Sequence, residues 1–319
     1  MLPASRRRGP RTRKVMTTTA IDRTCPLCGT GTGVPLSLLT KGRYRLHDCG
    51  RCRTHFYLDE QDGPPPPGEG EYWEAYKFSV YGDDAVRRAF AERYSAVLAD
   101  ARTVVSPIES VLDIGCGIGG FVAYAQDAGL RAIGSDASPE AVAAARERGL
   151  DCVVPDELDA HVPDGSVDAL TMWDVVEHLV RPAEVLADVV RKVRPGGAVV
   201  FETPDGGFPV RAALLGLHRV SGGRVDLTGP MYYWEHKTYP TEQGLRLLLD
   251  RVGVDLVHVR RATSVREKMS RQFEANARKG SRKAAVLRRS WPVLETAFRA
   301  AGRGNKLLAV GRRREPAAD

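Results

Sequence analysis

A chain of 319 residues with 43% hydrophobic and 27% charged side chains is long enough for about two domains and has a globular composition. No apolar run approaches the roughly 18 residues of a membrane-spanning helix, which argues against an integral helical membrane protein. Six cysteines are too few for a disulfide scaffold. The net charge of +7 is uneven: residues 1–14 carry six Arg/Lys and no acid, residues 264–303 carry eleven against three acids, and the remainder is net acidic. No apolar stretch follows the first arginines, so no secretory signal is expected, and a reducing cytoplasm is the expected setting.

In chain order, residues 1–20 read as a disordered basic tail. Residues 21–60 form a compact unit in which Cys25-x-x-Cys28 and Cys49-x-x-Cys52 make two knuckles separated by twenty residues. Four thiolates in two such turns match a closed tetrahedral zinc ribbon, structural rather than catalytic because no coordination position is left open. His47 and His55 flank the second knuckle and are expected to be surface or supporting residues, not ligands. Residues 61–105 are a Pro-rich linker, DGPPPPGEG, an aromatic stretch and a helical cap. In the helix, Val86, Phe90, Tyr94, Val97 and Ala101 share one stripe, and Asp83 or Asp84 caps the start.

From residue 106 onward strands and helices alternate. Strands are predicted at 110–116, 131–136, 150–156, 167–174, 198–204, 254–263 and 305–313. The second intervening helix is capped by Ser138, begins with Pro139 and stops at Gly149. This order predicts an α/β fold with a doubly wound, mostly parallel, seven-stranded Rossmann-like sheet behind a small N-terminal zinc-ribbon module. Two insertions interrupt it. The first, about 205–240, opens with a short apolar run framed by glycine pairs, as in a mobile lid. The second, 264–303, carries the stripes Val265, Met269, Phe273 and Leu287, Trp291, Leu294, Phe298, the latter interrupted by Pro292.

The segment Val111–Gly120, VLDIGCGIGG, places Gly115, Gly117 and Gly119 between the first of these strands and its helix. Glycine there permits a tight turn and close backbone approach to a ligand at a helix N-terminus. Asp136 ends the next strand, where an acid can accept hydrogen bonds from ribose hydroxyls. With GSDASPE, VDALTMWDVVEHL, VRPGGAVVFETP and GRGNKLLAVGRR following in order, the sequence resembles the class I S-adenosylmethionine-dependent methyltransferases over about 105–315. The resemblance implies a cofactor-binding set of Asp113, Gly115, Cys116, Gly117, Gly119, Asp136, Ala137, Asp156, Glu157, Asp174 and His178. Within it the glycine loop holds the methionine end, Asp136 the ribose, Asp156 or Glu157 lies near adenine, and Asp174 faces cofactor and substrate. The Cys116 side chain is expected to pack, as is Cys152.

The acceptor should enter at the carboxyl ends of the strands, where Met231–Tyr239 combines a carboxylate, an imidazole and several phenols. Its Tyr233-x-Glu235-His236 is similar to a motif of deoxysugar C-methyltransferases, which also carry an N-terminal zinc module. Trp234 stands where that motif has a histidine. The catalytic candidates are therefore His236, Glu235 and Tyr233, with His236 as the base or its positioning group. His161, His218 and His258 are expected to be structural or exposed.

The leading expectation is a methyltransferase using S-adenosyl-L-methionine, with structural Zn2+, on a small-molecule, sugar or glycan-precursor acceptor. A phosphate-bearing substrate or an anionic membrane surface would suit the basic 264–303 segment. A second reading, from CPLC before the same kind of core, resembles zinc-ribbon ribosomal RNA methyltransferases, with Phe56 and Tyr57 as the pair for base stacking. A third is a non-catalytic zinc-ribbon binding protein on a methyltransferase fold.

Overall fold

The computed structural model describes residues 24–30, 34–41, 44–59, 81–229, 231–233, 235–278 and 282–315. The basic tail, the Pro-rich linker and most of the aromatic stretch lie outside them, as does Trp234.

Three strands open the chain, β1 (Val34–Lys41), β2 (Tyr44–Asp48) and β3 (His55–Asp59), paired antiparallel in that order. Helix α1 (Asp84–Arg102) follows, capped by Asp83, whose carboxylate accepts from the Ala85 and Val86 amides. The predicted stripe is buried, with Leu98 added. The alternating core then runs β4 (Ser110–Ile114), α2 (Gly120–Asp127), β5 (Arg131–Ser135), α3 (Pro139–Glu147), β6 (Cys152–Val153) and the single turn α4 (Leu158–His161). It continues with β7 (Val167–Trp173), α5 (Pro182–Val190), β8 (Val193–Pro204) and α6 (Pro209–Val220). The last elements are β9 (Thr238–Tyr239), α7 (Glu242–Arg251), β10 (Val254–Ala262), α8 (Arg266–Arg278), α9 (Arg282–Ala300) and β11 (Lys306–Arg313).

Seven strands make one sheet in the order β10-β11-β8-β7-β4-β5-β6, with β11 alone antiparallel to its neighbours. The predicted sheet is therefore present. Strand order reverses between β4 and β7, the place where such sheets open a crevice for ligands at their carboxyl ends. Neighbouring residues along each strand serve opposite layers, as the two-residue period requires. Val111, Val200 and Leu308 pack beneath α1 and α2, whereas Leu112, Val199 and Ala309 pack toward α5 and α7.

The second layer contains the principal departure from the expected organisation. Cys25, Leu27, Cys28, Cys49, Cys52 and Phe56 belong to the same buried cluster as Leu186, Leu245 and Phe201. The cysteine unit is thus built into the core rather than held in front of it. Strand β9, from the acceptor segment, pairs antiparallel with β3 and makes the small sheet four-stranded. Thr241 caps α7 through the Gly244 amide and donates its hydroxyl to the Cys52 carbonyl at 2.5 Å. Arg251 at the other end of α7 donates to the Leu27 carbonyl at 2.8 Å.

Other boundaries shift for local reasons. β6 shrinks to two residues because Pro155, lacking an amide hydrogen, turns the chain into a 3₁₀ turn. α9 runs through Pro292 without a break, and its stripe rotates, so that Trp291 and Glu295 are buried and Leu294 is exposed. The Leu287 side chain lies outside the described residues. The expected lid is helix α6, held down by buried Arg211, which donates to the Asp205 carbonyl at 2.9 Å and to the Met231 carbonyl.

A Cβ at Gly244 of α7 would meet the Thr54 hydroxyl at 2.2 Å and Leu27 at 3.1 Å. Gly244→Ala should therefore lose about 1–3 kcal/mol by overpacking, against the gain of about 1 kcal/mol alanine brings to an open helix position. Denaturant unfolding reads the sign, and an unchanged or raised midpoint would mean that the cysteine unit does not rest on α7.

Candidate functional site

The crevice is built at the carboxyl ends of β4, β5 and β7. After β4 the chain turns through Gly115, Gly117 and Gly119, with φ of 72°, 53° and 79°. Side chains at the first and third would strike Val175 and Leu150, at 2.3 and 2.4 Å. At Gly117 nothing lies within 4 Å of the added carbon, so this is where the loop backbone stays open to a ligand. Its amide donates to Asp136 Oδ2 at 2.7 Å, and Asp136 Oδ1 accepts from the Ser138 amide at 2.9 Å. One buried carboxylate thereby ties the glycine loop to the start of α3, and Ala137 beside it is exposed.

The other expected cofactor residues divide. Cys116 points inward, its Sγ 3.8 Å from that of Cys152. Asp113 is buried within β4, and Thr171 donates to it at 2.6 Å. Burial lifts its carboxyl well above the usual carboxylate range. Glu157 is held by Arg146 at 2.6 Å on the flank of the crevice, and Asp156 beside it is exposed.

Asp174 follows β7 with a positive φ of 57°, a conformation that costs a non-glycine residue energy unless its surroundings hold it. Two ammonium groups do so. Lys268 of α8 lies 3.1 Å from one carboxylate oxygen, and Lys306, at the start of β11, is paired with the other. Burial alone would raise the Asp174 carboxyl, but the two lysines outweigh it and hold it well below its ordinary value. Neither lysine was singled out from the sequence. Lys306 reaches the site because the antiparallel β11 begins where the parallel strands end.

Beyond Asp174, Glu177 is fully buried, with 0% exposure. Thr203 donates to its Oε2 at 3.0 Å, and its Oε1 is buried without a hydrogen-bond partner among the described residues. Burial, then the Asp174 charge, pushes its carboxyl up to about 8. His178 meets His236 edge-on at 4.6 Å between ring centres. A carbonyl can only accept, so the 3.2 Å contact from His178 Nδ1 to the Glu235 carbonyl places the hydrogen on Nδ1. His236 is half-buried, and its buried Nδ1 lacks a partner among the described residues. Burial and the neighbouring His178 keep its pKa well below the usual imidazole value, so the ring is neutral. Of the three expected catalytic residues, His236 reaches this cluster and Glu235 contributes its backbone carbonyl. Tyr233 is exposed, with its ring centre 5.3 Å from that of His236.

The cysteine unit fixes this segment from behind. The Tyr57 amide donates to the Lys237 carbonyl at 2.9 Å, and His55 Nδ1 lies 2.7 Å from the Tyr232 hydroxyl. The Tyr239 hydroxyl donates to the Tyr233 carbonyl at 3.0 Å, closing the loop on itself. Cys25 and Cys52 have their sulfurs 3.7 Å apart, and Cys28 and Cys49 3.5 Å. Zinc–sulfur bonds of about 2.3 Å in a tetrahedron need a separation of about 3.8 Å, so the four buried thiols fit that ion.

Phe56 and Tyr57 are buried, so they offer no face for base stacking. Of the basic 264–303 segment, Arg266 is paired with Glu295, Lys268 with Asp174 and Arg271 with Asp83.

A family model described as a methyltransferase domain matches residues 81–259, more than half of the chain. An uncharacterized 37.1 kDa protein of transposon TN4556 from Streptomyces fradiae is 38% identical over 133 residues, 39% of this chain and 38% of that protein. The ubiquinone biosynthesis O-methyltransferase of Sodalis glossinidius is 32% identical over 104 residues, 30% of this chain and 41% of that one. The matched segments thus span about two fifths of these relatives' lengths. Among solved structures, the plantazolicin methyltransferase BamL aligns with a TM-score of 0.49 at 16% identity, covering 77% of this chain and 92% of that one. On the family match, the chain belongs to the methyltransferase-domain family.

Proposed function

We propose that the protein transfers a methyl group from S-adenosylmethionine to a small-molecule acceptor, of which a sugar or glycan precursor is one class. The observation that carries this reading is the open backbone at Gly117, tied to Asp136 at the strand-order reversal. The loop offers amides to the carboxylate end of the cofactor. Asp136 keeps lone pairs for the ribose hydroxyls, since each of its oxygens accepts one amide. The quinol substrate class named for one relative, the 2-methyl-6-phytyl-1,4-hydroquinone methyltransferase of Synechocystis, is in keeping with a small acceptor.

Methyl transfer is an in-line displacement that depends chiefly on alignment. A hydroxyl acceptor must also lose a proton. Asp174 is a poor base, because its two lysines stabilise the ionised form. Neutral His236, which carries a lone pair at the crevice, is the candidate to take or direct that proton, with Tyr233 and Glu235 framing the entrance. The four cysteines would hold one zinc ion, whose structural role would be to keep β3 in place to pair with β9, the strand that follows His236.

Three measurements check this reading. Calorimetry should find S-adenosylmethionine binding weakened at least about tenfold by Asp136→Ala, and likewise by Gly117→Val, which fills the open approach; about tenfold is 1.4 kcal/mol. Unchanged affinity in both would refute the cofactor assignment. Elemental analysis should give one zinc per chain at the cysteines, lost in Cys49→Ser, and its absence from protein purified without chelator would overturn the zinc assignment. His236→Ala should lower single-turnover methyl transfer by about 10²–10⁴-fold with little change in cofactor affinity. A folded variant with wild-type transfer would reduce the 231–239 segment to a binding wall.

A further inference from the structure

We infer that Glu177, His178 and His236 form a second metal site, separate from the cysteines, for a divalent transition ion that binds the acceptor's oxygens. One ligand atom from each of the three lies within 4.8 Å of the others. An ion about 2.1 Å from each ligand needs them no more than about 4.2 Å apart, so small side-chain rotations close the site. Two imidazoles with one carboxylate suit ions such as Mn2+ or Fe2+ and leave coordination positions open.

The surroundings of each ligand leave room for an ion. Glu177 is fully buried and ionisable, yet Oε1 has no hydrogen-bond partner among the described residues. Burying such an oxygen costs free energy that a cation would offset. The His178 Nδ1 hydrogen is committed to the Glu235 carbonyl, which leaves Nε2 as the lone-pair nitrogen. Ligating histidines are commonly oriented in this way. His236 has a buried ring nitrogen with no hydrogen-bond partner among the described residues. Asp174, by pairing with both Lys268 and Lys306, offsets part of their charge beside the site.

The site narrows the acceptor class and rests on the methyl-transfer reading above. Water fills the open positions until an acceptor with two adjacent oxygens, a vicinal diol or catechol, displaces it. The ion then acidifies the coordinated hydroxyl, whose proton leaves to solvent. The oxygen lone pair attacks the methyl carbon, the carbon–sulfur bond breaks with its electrons going to sulfur, and the products are the methyl ether and S-adenosylhomocysteine. His236 then acts through the ion and not by taking the proton itself.

The test is Mn2+ titration of the full, zinc-loaded chain, followed by electron paramagnetic resonance. The expected result is one bound Mn2+ per chain, with affinity at least about tenfold weaker in Glu177→Gln and in His236→Gln, while the melting temperatures report folding. The second variant decides the matter should the first not fold. Adding catechol should lower the water relaxivity of the bound Mn2+, and adding resorcinol should not. No Mn2+ binding by the wild type, or equal affinity in the folded variants, overturns the site. Unchanged relaxivity with catechol overturns the acceptor class. S-adenosylmethionine binding, measured separately, keeps the two readings apart: bound cofactor without bound Mn2+ removes the metal site alone.

Discussion

The short pairing of β3 with β9 is the interaction on which the rest of the site depends. Only two residue pairs form it, His55 with Tyr239 and Phe56 with Thr238. A two-residue strand has little stability of its own. It persists because the cysteine unit behind it shares a core with α7 and the main sheet. Through this contact an element of about thirty-five residues at the start of the chain sets the position of His236, far along it. Loops that carry function are usually placed by a rigid scaffold, and here the scaffold is assembled from both ends of the sequence.

Electrostatics explains how the same crevice holds a charged group that is largely out of solvent. Asp174 would be costly to bury alone, and a single lysine partner leaves one oxygen to be satisfied elsewhere. Lys268 and Lys306 come from α8 and β11, so folding of the second insertion and closure of the sheet both complete the pair. Glu177, three residues further on, has no hydrogen-bond partner at Oε1 among the described residues. That contrast separates a structural carboxylate from one available to a ligand.

Much of this was legible in the sequence. The period-two strands, the Pro and Gly punctuation of α3 and the stripe of α1 depend on local chemistry, and they appear as expected. The Cys-x-x-Cys spacing and the glycine loop could be recognised because their chemistry is carried by few residues at short range. Lys306 and Glu177 could not. Each looks like part of an ordinary strand or turn until the antiparallel β11 and the turn after β7 bring them to one end of the sheet. Likewise nothing in Thr238–Tyr239 announces a strand, because its partner lies about 180 residues earlier. Leu294, one of the stripe residues, is exposed on the helix that runs on through Pro292.

The central claim is that the cysteine unit, with the zinc ion proposed for it, holds the 231–239 segment in place. Amide hydrogen exchange, followed across residues 231–241 with zinc bound and after its removal, tests it most directly. The account predicts that stripping zinc speeds exchange at Thr238 and Tyr239 by at least about tenfold, the change expected for losing 1.4 kcal/mol of local stability, while amides of β4 and β7 keep their protection. Unchanged exchange in β9 after zinc is lost would contradict it.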